Sequence, residues 1–401
     1  MKIGLFIILH FLFITAIYSQ TIIKGKITST ENEILEGASV YVNNTTIGTI
    51  TNNKGEFQLK IKKGNYTLVV SYLGYETKQL PIKNNQVNFL NISLSPAINI
   101  LTEVVLRKTI YDADWRYNLS RFKQAFLGRA QLAEQCEILN PKSIHFEYNY
   151  KTNKLIALAK EPLQIKHKGL GYLITYDLVD FELQNKRLFF SGYARYQNLR
   201  KSIRNKWKKN RLITFNGSQM HFLRSLLSYK VKEDGFVVNK FKRVLNPERP
   251  SEKKIKLARE LIKLYGDQVD YSKEITEPKT NLDSALVVLK NSKKPKYRDY
   301  LYKTNASYEE MISKENEITY LDFKDYLMVI YTKETEEENY LIGMFGERKK
   351  ASGVQTSNIV LLNEKDIINN SGVLRSPNAV FNEGYWGFES FANMLPLDYQ
   401  P

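Results

Sequence analysis

Apolar and polar residues alternate in short runs from residue 23 to residue 94. Such period-two alternation is typical of β-strands that bury one face. Turn-forming residues, among them Asn43-Asn44 and Asn84-Asn85, separate the runs. About seven short strands joined in this way predict an all-β, Greek-key sandwich over residues 20–97.

The pattern changes to mixed helix and strand beyond residue 107. Trp115, Leu119, Phe122 and Phe126 recur at helical spacing, behind Asp112 at a favourable N-terminal position. An α+β region is therefore predicted to follow the sandwich in a multidomain chain. Further helices are predicted at 218–230 and 251–265, and strands at 145–150, 154–159, 172–183, 187–196, 318–332, 340–344 and 357–362.

Residues 98–111 are predicted to link the two regions. The α+β region is assigned to residues 112–266, and residues 267–401 continue it, in the same domain or in a second one. The polar, turn-rich stretch 266–280 is predicted to be a domain boundary or a loop.

The first 19 residues have the pattern of a secretory signal. Lys2 precedes an apolar run from residue 3 to residue 17, and Ala16 and Ser19 are small residues where a signal peptidase cuts. The run is shorter than the roughly 20 residues that span a bilayer, although an uncleaved anchor is the alternative. We therefore expect an exported protein, periplasmic or associated with the outer membrane, with no transmembrane segment after cleavage.

The chain carries 59 Lys and Arg against 42 Asp and Glu, a formal net charge of +17. A basic protein in the cytoplasm would suggest a nucleic-acid partner, but export argues against nucleic acid. The anions outside the cytoplasm are lipid head groups, lipopolysaccharide, acidic glycans and partner proteins. The alternative is a solvated basic surface that has no dedicated partner.

The densest basic segment runs from residue 200 to residue 211, where seven of the twelve residues are cationic around one tryptophan. Arginine offers bidentate contacts to phosphate or carboxylate groups, and tryptophan offers a stacking face. An anionic membrane surface would suit the segment equally well, and a solvated, mobile connector is the alternative to both. The candidate residues for binding an anionic ligand are Arg200, Lys201, Arg204, Lys206, Trp207, Lys208, Lys209 and Arg211.

No catalytic, cofactor-binding or metal-binding signature stands out in the sequence. None of His145, His167 and His221 is followed three positions later by glutamate, so the zinc motif of metallocarboxypeptidases is missing. Ser218 and His221 share one side of a predicted helix, as a nucleophile and its base would. Helix capping by Ser218 is the simpler interpretation, and no cofactor is expected.

Cys136 is the only cysteine, so no intramolecular disulfide can form. Its helical spacing from Ala130 and Ala133 predicts a buried structural thiol, and a reactive or intermolecular thiol is the alternative. Stability must therefore come from packing, for which the chain is long enough.

The predicted sandwich contains five short motifs, which are Gly25-Lys26-Ile27, Leu35-Glu36-Gly37-Ala38-Ser39-Val40, Gly48-Thr49-Ile50-Thr51-Asn52, Gly55-Glu56-Phe57 and Ser71-Tyr72-Leu73-Gly74-Tyr75-Glu76. As a set they resemble the carboxypeptidase-regulatory-like domain, a transthyretin-like β-sandwich of exported Bacteroidetes proteins. The resemblance implies a module that is not itself catalytic and that often precedes the plug of outer-membrane nutrient receptors. Asn52 replaces the family's usual aspartate, which bears only on hydrogen bonding in one turn.

Residues 98–106 are similar to the connector that leads into such a plug, but a last strand plus linker is the preferred interpretation. A receptor also needs a barrel of roughly 22 strands, for which the remaining chain is too short. The C-terminal region is similar to an extension of other exported proteins with this N-terminal domain, through pieces such as Phe126-Leu127-Gly128 and Leu395-Pro396-Leu397-Asp398-Tyr399. That resemblance implies localisation and architecture without an assigned activity.

We expect a noncatalytic cell-envelope protein that binds an envelope partner through its β-sandwich and its basic α+β region. The partner is a protein or an anionic glycan or lipid surface. The alternative is an exported hydrolase that acts on peptide or glycan with an unrecognised site, and a third hypothesis is a purely structural envelope component. A hydrolase requires a pocket with convergent titratable groups, whereas a binding module requires an exposed apolar or basic face.

Overall fold

The computed structural model describes residues 20–62, 64–82, 89–96, 109–185, 187–265, 275–342, 347–348 and 350–401. The predicted signal, residues 1–19, and most of the predicted linker, residues 98–111, lie outside the described residues. No helix in the described ranges is both long enough and apolar enough to cross a bilayer.

The N-terminal region is a sandwich of two sheets around one apolar core. Its described strands are β1 (Gln20–Ser29), β2 (Ser39–Val42), β3 (Gly48–Ile50), β4 (Glu56–Lys62), β5 (Tyr66–Ser71), β6 (Lys78–Ile82) and β7 (Leu90–Leu94). One sheet has the order β4-β1-β7 and the other β3-β2-β5-β6. Strand β1 runs antiparallel to β4 and parallel to β7. Ile23, Ile27, Val40 and Leu68 are fully buried between the sheets, which confirms the predicted β-sandwich.

The turn before β4 shows how local sequence closes the sandwich. The side-chain oxygen of Asn52 accepts hydrogen bonds from the backbone N–H groups of Lys54 and Glu56, each at 2.9 Å. Gly55 has φ +72°, and a Cβ there would lie 2.6 Å from the carbonyl oxygen of Ile27. Glycine is therefore required at this position, and asparagine serves the turn as an acceptor.

The first part of the α+β region is a six-stranded sheet packed against helix α1 (Ala113–Phe126). The strands that the described residues form are β8 (Cys136–Ile138), β9 (Ile144–Asn149), β10 (Lys154–Ala159), β11 (Leu163–His167), β12 (Tyr172–Gln184) and β13 (Arg187–Asn198). Strand β12 pairs with β13 on one side and with β10 and β11 on the other. Phe122 and Phe126 of α1 are fully buried, with ring centroids 5.1 Å apart, which confirms the helix predicted from their spacing.

The remaining chain forms two more sheets and six helices in its described part. The helices are α2 (Asn205–Phe215), α3 (Gln219–Leu227), α4 (Glu252–Leu264), α5 (Asn281–Ser292) and, beyond these, α6 (Glu338–Leu341) and the short α7 (Tyr385–Phe388), which caps the last sheet. The strands are β14 (Phe236–Leu245), β15 (Tyr297–Lys303), β16 (Ile312–Glu315), β17 (Ile318–Leu321), β18 (Tyr326–Thr335), β19 (Val354–Leu361), β20 (Asp366–Asn369), β21 (Val373–Leu374) and β22 (Val380–Gly384). The sheet orders are β15-β14-β18-β19-β22 and β16-β17-β20-β21, so an α+β region follows the sandwich as predicted.

Tertiary packing changed the predicted elements at three places. The helical spacing up to Cys136 does not give a helix, because Gly128 at φ +90° follows the end of α1 and Cys136 begins β8, paired with β11. The single strand predicted at 318–332 is interrupted by a turn at Asp325, with φ +64°. The strand predicted at 340–344 begins as helix α6, where the Tyr340 ring packs 5.3 Å from that of Tyr385. Residues 343–346 lie outside the described ranges.

The end of the chain returns to the first core of the α+β region. The Ser390 hydroxyl donates to the carbonyl oxygen of Phe126 at 2.9 Å, and the N–H of Ala392 donates to that of Leu127 at 3.1 Å. The Phe391 and Phe126 rings stack with centroids 4.5 Å apart. The C-terminal segment therefore packs on the end of α1 and on the core that the first half of the α+β region forms.

Candidate functional site beside a cationic helix

The sandwich is docked on the β12–β13 hairpin of the body, by which we mean residues 109–401. The N–H of Asn44 donates to the carbonyl oxygen of Ala194 at 2.8 Å, and the N–H of Tyr196 donates to that of Thr45 at 3.0 Å. Because these bonds join backbone to backbone, they fix the relative position of the two regions. They bring Thr46 of the sandwich to the rim of a cleft in the body.

Helix α2 contains the C-terminal part of the basic segment, and its inner face is bonded to the loop before β12. The Trp207 indole N–H, the Asn210 amide and the Arg211 Nε–H donate to three successive carbonyls of residues 168–170, at 3.0, 2.8 and 2.9 Å respectively. Three side chains of one helix thus satisfy backbone acceptors that the turn leaves free. From Asn205 onwards the segment is a helix held by these bonds. The sequence alone had also allowed a mobile connector here.

Trp207 is only 6% exposed. Its ring covers Gly171, where a Cβ would lie 2.1 Å from the indole and where φ is +74°. Any side chain at residue 171 would therefore displace the tryptophan. Contrary to the expectation from the sequence, Trp207 offers no open ring face to a ligand and instead anchors the helix.

Arg211 is also turned inward, at 5% exposed. Its guanidinium donates to the side-chain oxygen of Asn198 at 2.8 Å and lies 3.8 Å from the centre of the Tyr172 ring. Burial lowers the pKa of Arg211. Burial raises the pKa of Tyr172 to about 12, and the nearby Arg211 charge opposes that shift. Arg211 lines the inner end of the cleft and links α2 to the sheet.

The other six candidate residues point outward. All six are exposed, and none of them forms an ion pair with any residue that the structure describes, although the Arg204 guanidinium lies 5.4 Å from the centre of the Trp207 ring. They are Arg200, Lys201, Arg204, Lys206, Lys208 and Lys209. Six uncompensated positive charges in ten consecutive residues create a local positive potential next to the cleft.

The cleft beside α2 has a volume of about 620 Å³. One wall belongs to α2, another to the sheet, and a third to the C-terminal segment, in which the Asp398 carboxylate accepts hydrogen bonds from the N–H (2.9 Å) and the hydroxyl of Thr46. The guanidinium of Arg224 holds that segment through the carbonyls of Leu397 and Tyr399, at 3.0 and 2.9 Å. The lining residues are Thr46, Tyr172, Asn198, Ile203, Lys208, Lys209, Arg211, Leu212, Pro396, Asp398, Tyr399, Gln400 and Pro401.

Ser218 and His221 do not form a nucleophile and base. The Ser218 hydroxyl donates to the carbonyl oxygen of Phe215 at 2.6 Å and accepts from the N–H of His221 at 3.1 Å, which confirms that it caps α3. Nδ1 of His221 accepts from the N–H of Gly217 at 3.2 Å. The ring nitrogen that remains, Nε2, lies 3.8 Å from the Asp234 carboxylate, so neither imidazole nitrogen faces the serine oxygen.

Outside the basic segment, one carboxyl group with a shifted pKa is Glu389, which no sequence motif had indicated. Burial raises the pKa of Glu389 to about 8, with the charges of Glu337 and Glu334 acting in the same direction and a hydrogen bond from Asn393 against it. Among the described residues, no group of three or more His, Cys, Asp or Glu side chains is placed to hold a metal ion. Cys136 is half-buried, and burial raises the pKa of its thiol to about 12.

The N-terminal region matches a known protein family. Residues 23–106 match the family model of the CarboxypepD_reg-like domain. The resemblance derived from the five motifs is thereby confirmed for the sandwich, which is about a fifth of the chain.

Two curated relatives match the same region. TonB-dependent receptor SusC of Bacteroides thetaiotaomicron is 41% identical over 96 residues, which are 24% of this chain and 9% of that receptor. TonB-dependent receptor P39 of Formosa agariphila is 32% identical over 107 residues, 26% of this chain and 10% of that receptor. The chain thus spans about a tenth of the length of these relatives.

Solved structures give weak likenesses over longer stretches. A DUF3823 family protein from Bacteroides ovatus is 11% identical, covers 46% of this chain and 83% of its own, and has a TM-score of 0.17. A membrane-associated protein of unknown function from Bacteroides fragilis is 10% identical over 86% of this chain and 92% of its own, also with a TM-score of 0.17. At these TM-scores the likenesses carry no argument about the body.

Proposed function

We propose that this protein is a noncatalytic component of the bacterial cell envelope that binds an anionic glycan at the cleft beside α2. The observation that carries the proposal is the set of six exposed cations without ion-pair partners in the described residues. Three of them are on α2 and three precede it, and Lys208 and Lys209 line a cleft of about 620 Å³. That volume lies in the usual range for small-ligand sites, roughly 300–1,000 Å³.

A glycan suits the lining better than a bare phosphate ion does. Lys208 and Lys209 supply charge for phosphate or carboxylate groups. Asn198, Thr46 and the half-buried Tyr399 ring offer the polar and aromatic surfaces with which sugar rings and hydroxyls make contact. An acidic saccharide would therefore use both kinds of group at once.

The sandwich would take part in binding by completing the cleft. It contributes Thr46, which is held in place by Asp398 of the C-terminal segment. We also propose that residues 112–401 act as one unit, because β14 and β15, from either side of residue 266, pair in a single sheet. A ligand in the cleft would then contact the N-terminal domain and the body together.

Location in the envelope is supported by the export signal predicted from the sequence and by the matched domain. That domain is shared with two TonB-dependent receptors of Bacteroides and Formosa. We propose a location in the periplasm or at the outer-membrane surface.

The test is retention on immobilised, delipidated core oligosaccharide of lipopolysaccharide at low salt. The binding variant replaces Arg200, Lys201, Arg204, Lys206, Lys208 and Lys209 by glutamine, and we expect it to lose retention at least about tenfold, because each phosphate contact adds a salt-dependent electrostatic contribution. A control variant replaces six exposed lysines elsewhere, Lys24, Lys54, Lys60, Lys230, Lys232 and Lys324. Both variants lose the same formal charge.

The proposal therefore requires the binding variant to lose more retention than the control variant. If both variants lose retention equally, the protein binds anions through its overall charge and the cleft has no special role. If neither variant loses retention, anionic glycan binding at α2 is excluded.

A further inference from the structure

Helices α4 and α5 form a hairpin that packs mainly on itself. It is inserted between β14 and β15, and the apolar cluster inside it consists of residues from these two helices, with Ala258, Ile262 and Ala285 buried. Residues 266–274 of the connection lie outside the described part of the chain. A two-helix hairpin with so small a core leaves much apolar surface open to other contacts.

Helix α4 carries a second apolar stripe on the side away from α5. Ile255, Ala258 and Ile262 are buried on the inner side. Leu257 and Leu264 are seven residues apart and therefore lie on one outer line of the helix; they are 56% and 77% exposed. Exposed apolar surface that is rimmed by polar residues marks interaction sites, membrane contacts among them.

Positive charge borders the outer stripe. Within its 13 residues α4 has five cations and two carboxylates. Both carboxylates are already in ion pairs, Glu252 with Arg249 at 2.6 Å and Glu260 with Lys256 at 4.0 Å. The remaining four cations are exposed and form no ion pair with any described residue. They are Lys253, Lys254, Arg259 and Lys263.

We propose that the outer face of α4 docks on an anionic lipid surface. A helix with exposed leucines bordered by lysines lies in the plane of such a surface, with the leucines among the acyl chains and the ammonium groups at the lipid phosphates. Charge complementarity selects this occupant: an uncharged partner would leave the cations of α4 without counterions, and a second copy of α4 would oppose lysine to lysine. The site is separate from the α2 cleft and does not depend on the function proposed for it.

The experiment is co-sedimentation of the full chain after the predicted signal with vesicles of phosphatidylcholine containing phosphatidylglycerol. The variant Leu257→Ser/Leu264→Ser removes the apolar stripe without changing any charge, so that attraction through α2 is unaltered. We expect a loss of vesicle affinity of about tenfold, because the two leucines supply the apolar burial. A matched control, Leu73→Ser/Ile110→Ser, changes two residues that are 82% and 71% exposed elsewhere and should bind as the wild type does.

A second variant replaces Lys253, Lys254 and Lys263 by glutamine and should lose binding to the anionic vesicles with little effect on vesicles of phosphatidylcholine alone. Circular dichroism of each variant checks that the fold is kept. Wild-type affinity of the leucine variant, or no binding of the wild type to anionic vesicles at low salt, would overturn the proposal. Leucine-dependent self-association without lipid and without vesicle binding would overturn it in favour of a protein partner.

Discussion

Two cationic helices, α2 and α4, have similar charge but opposite relations to the rest of the molecule. Helix α2 is fixed by Trp207, Asn210 and Arg211, which donate to three successive carbonyls of one loop. Helix α4 packs on α5 through a core in which few residues are fully buried. The first helix belongs to the body, whereas the second is an appendage of it.

The difference shows that a run of basic residues does not by itself define a site. In α2 the buried residues hold the exposed cations at one place relative to the cleft, so a ligand of fixed shape can be recognised. In α4 the cations border an open apolar stripe, which suits a broad and deformable surface better than a small ligand. Variants that remove the anchor of α2 and leave α4 unchanged therefore test the comparison directly.

The largest effect is expected for Trp207→Ala. Removing the buried indole leaves a cavity and an unpaired carbonyl at residue 168, and we expect the free energy of unfolding to fall by about 3–5 kcal/mol. Because α2 is then no longer held, retention on the core oligosaccharide should fall as well. Urea unfolding and the retention assay measure the two effects.

Trp115→Ala is the matched control for this change. Its indole N–H also donates to a backbone carbonyl, that of Ile144 at 3.0 Å, but it lies on α1, away from the cleft. We expect this variant to lose stability and to keep retention. Unchanged stability of Trp207→Ala would mean that α2 is not anchored as described.

A smaller, pH-dependent effect is expected from His167, which supports the loop that holds α2. Its Nδ1 accepts from the N–H of Leu170 at 3.1 Å, and its Nε2–H donates to the carbonyl oxygen of Ala392 at 2.8 Å. The bond to Leu170 requires the neutral ring, because a protonated Nδ1 cannot accept, and burial lowers the pKa of His167 to about 4. Between this value and the usual pKa of about 6.5 the unfolded chain binds the proton more tightly.

Stability linked to His167 is therefore fully present above about pH 6.5 and is lost as the pH falls towards 4, by up to about 3 kcal/mol. Urea unfolding at a series of pH values should show this slope, and His167→Gln should flatten it. His145→Gln, at a partly exposed histidine, should keep most of it. Mildly acidic pH should lower the protection of α2 against hydrogen exchange more than that of α4. Equal loss of protection in both helices would contradict the comparison.

The sequence was most informative where a local rule decides the structure. The period-two runs predicted the sandwich, Asp112 and Ser251 cap α1 and α4, and the spacing of Phe122 and Phe126 indicated a helix that is buried. The basic segment was also visible as a cluster of charges. What the sequence did not reveal is which of those residues face inward.

That orientation depends on contacts distant in the chain. Trp207 is buried because Gly171, 36 positions earlier, leaves room for its ring, and no pattern within residues 200–211 encodes the partner. The cleft likewise joins Thr46 to Asp398, which are 352 residues apart. Pairings of this kind are set by the packing of whole sheets. Local periodicity therefore predicted the elements but not which distant residues form the cleft.

The smallest effect is expected on the outer face of α4. Leu257→Ala/Leu264→Ala should change the free energy of unfolding by no more than about 0.5 kcal/mol, because exposed side chains away from the core contribute little to folding. Ile262→Ala on the inner face should cost more and should accelerate hydrogen exchange throughout α4 and α5, since Ile262 belongs to the only apolar cluster that the described residues of the hairpin form. If the outer leucines cost as much as Trp207, they are packed against the protein itself and are not free to enter a lipid surface.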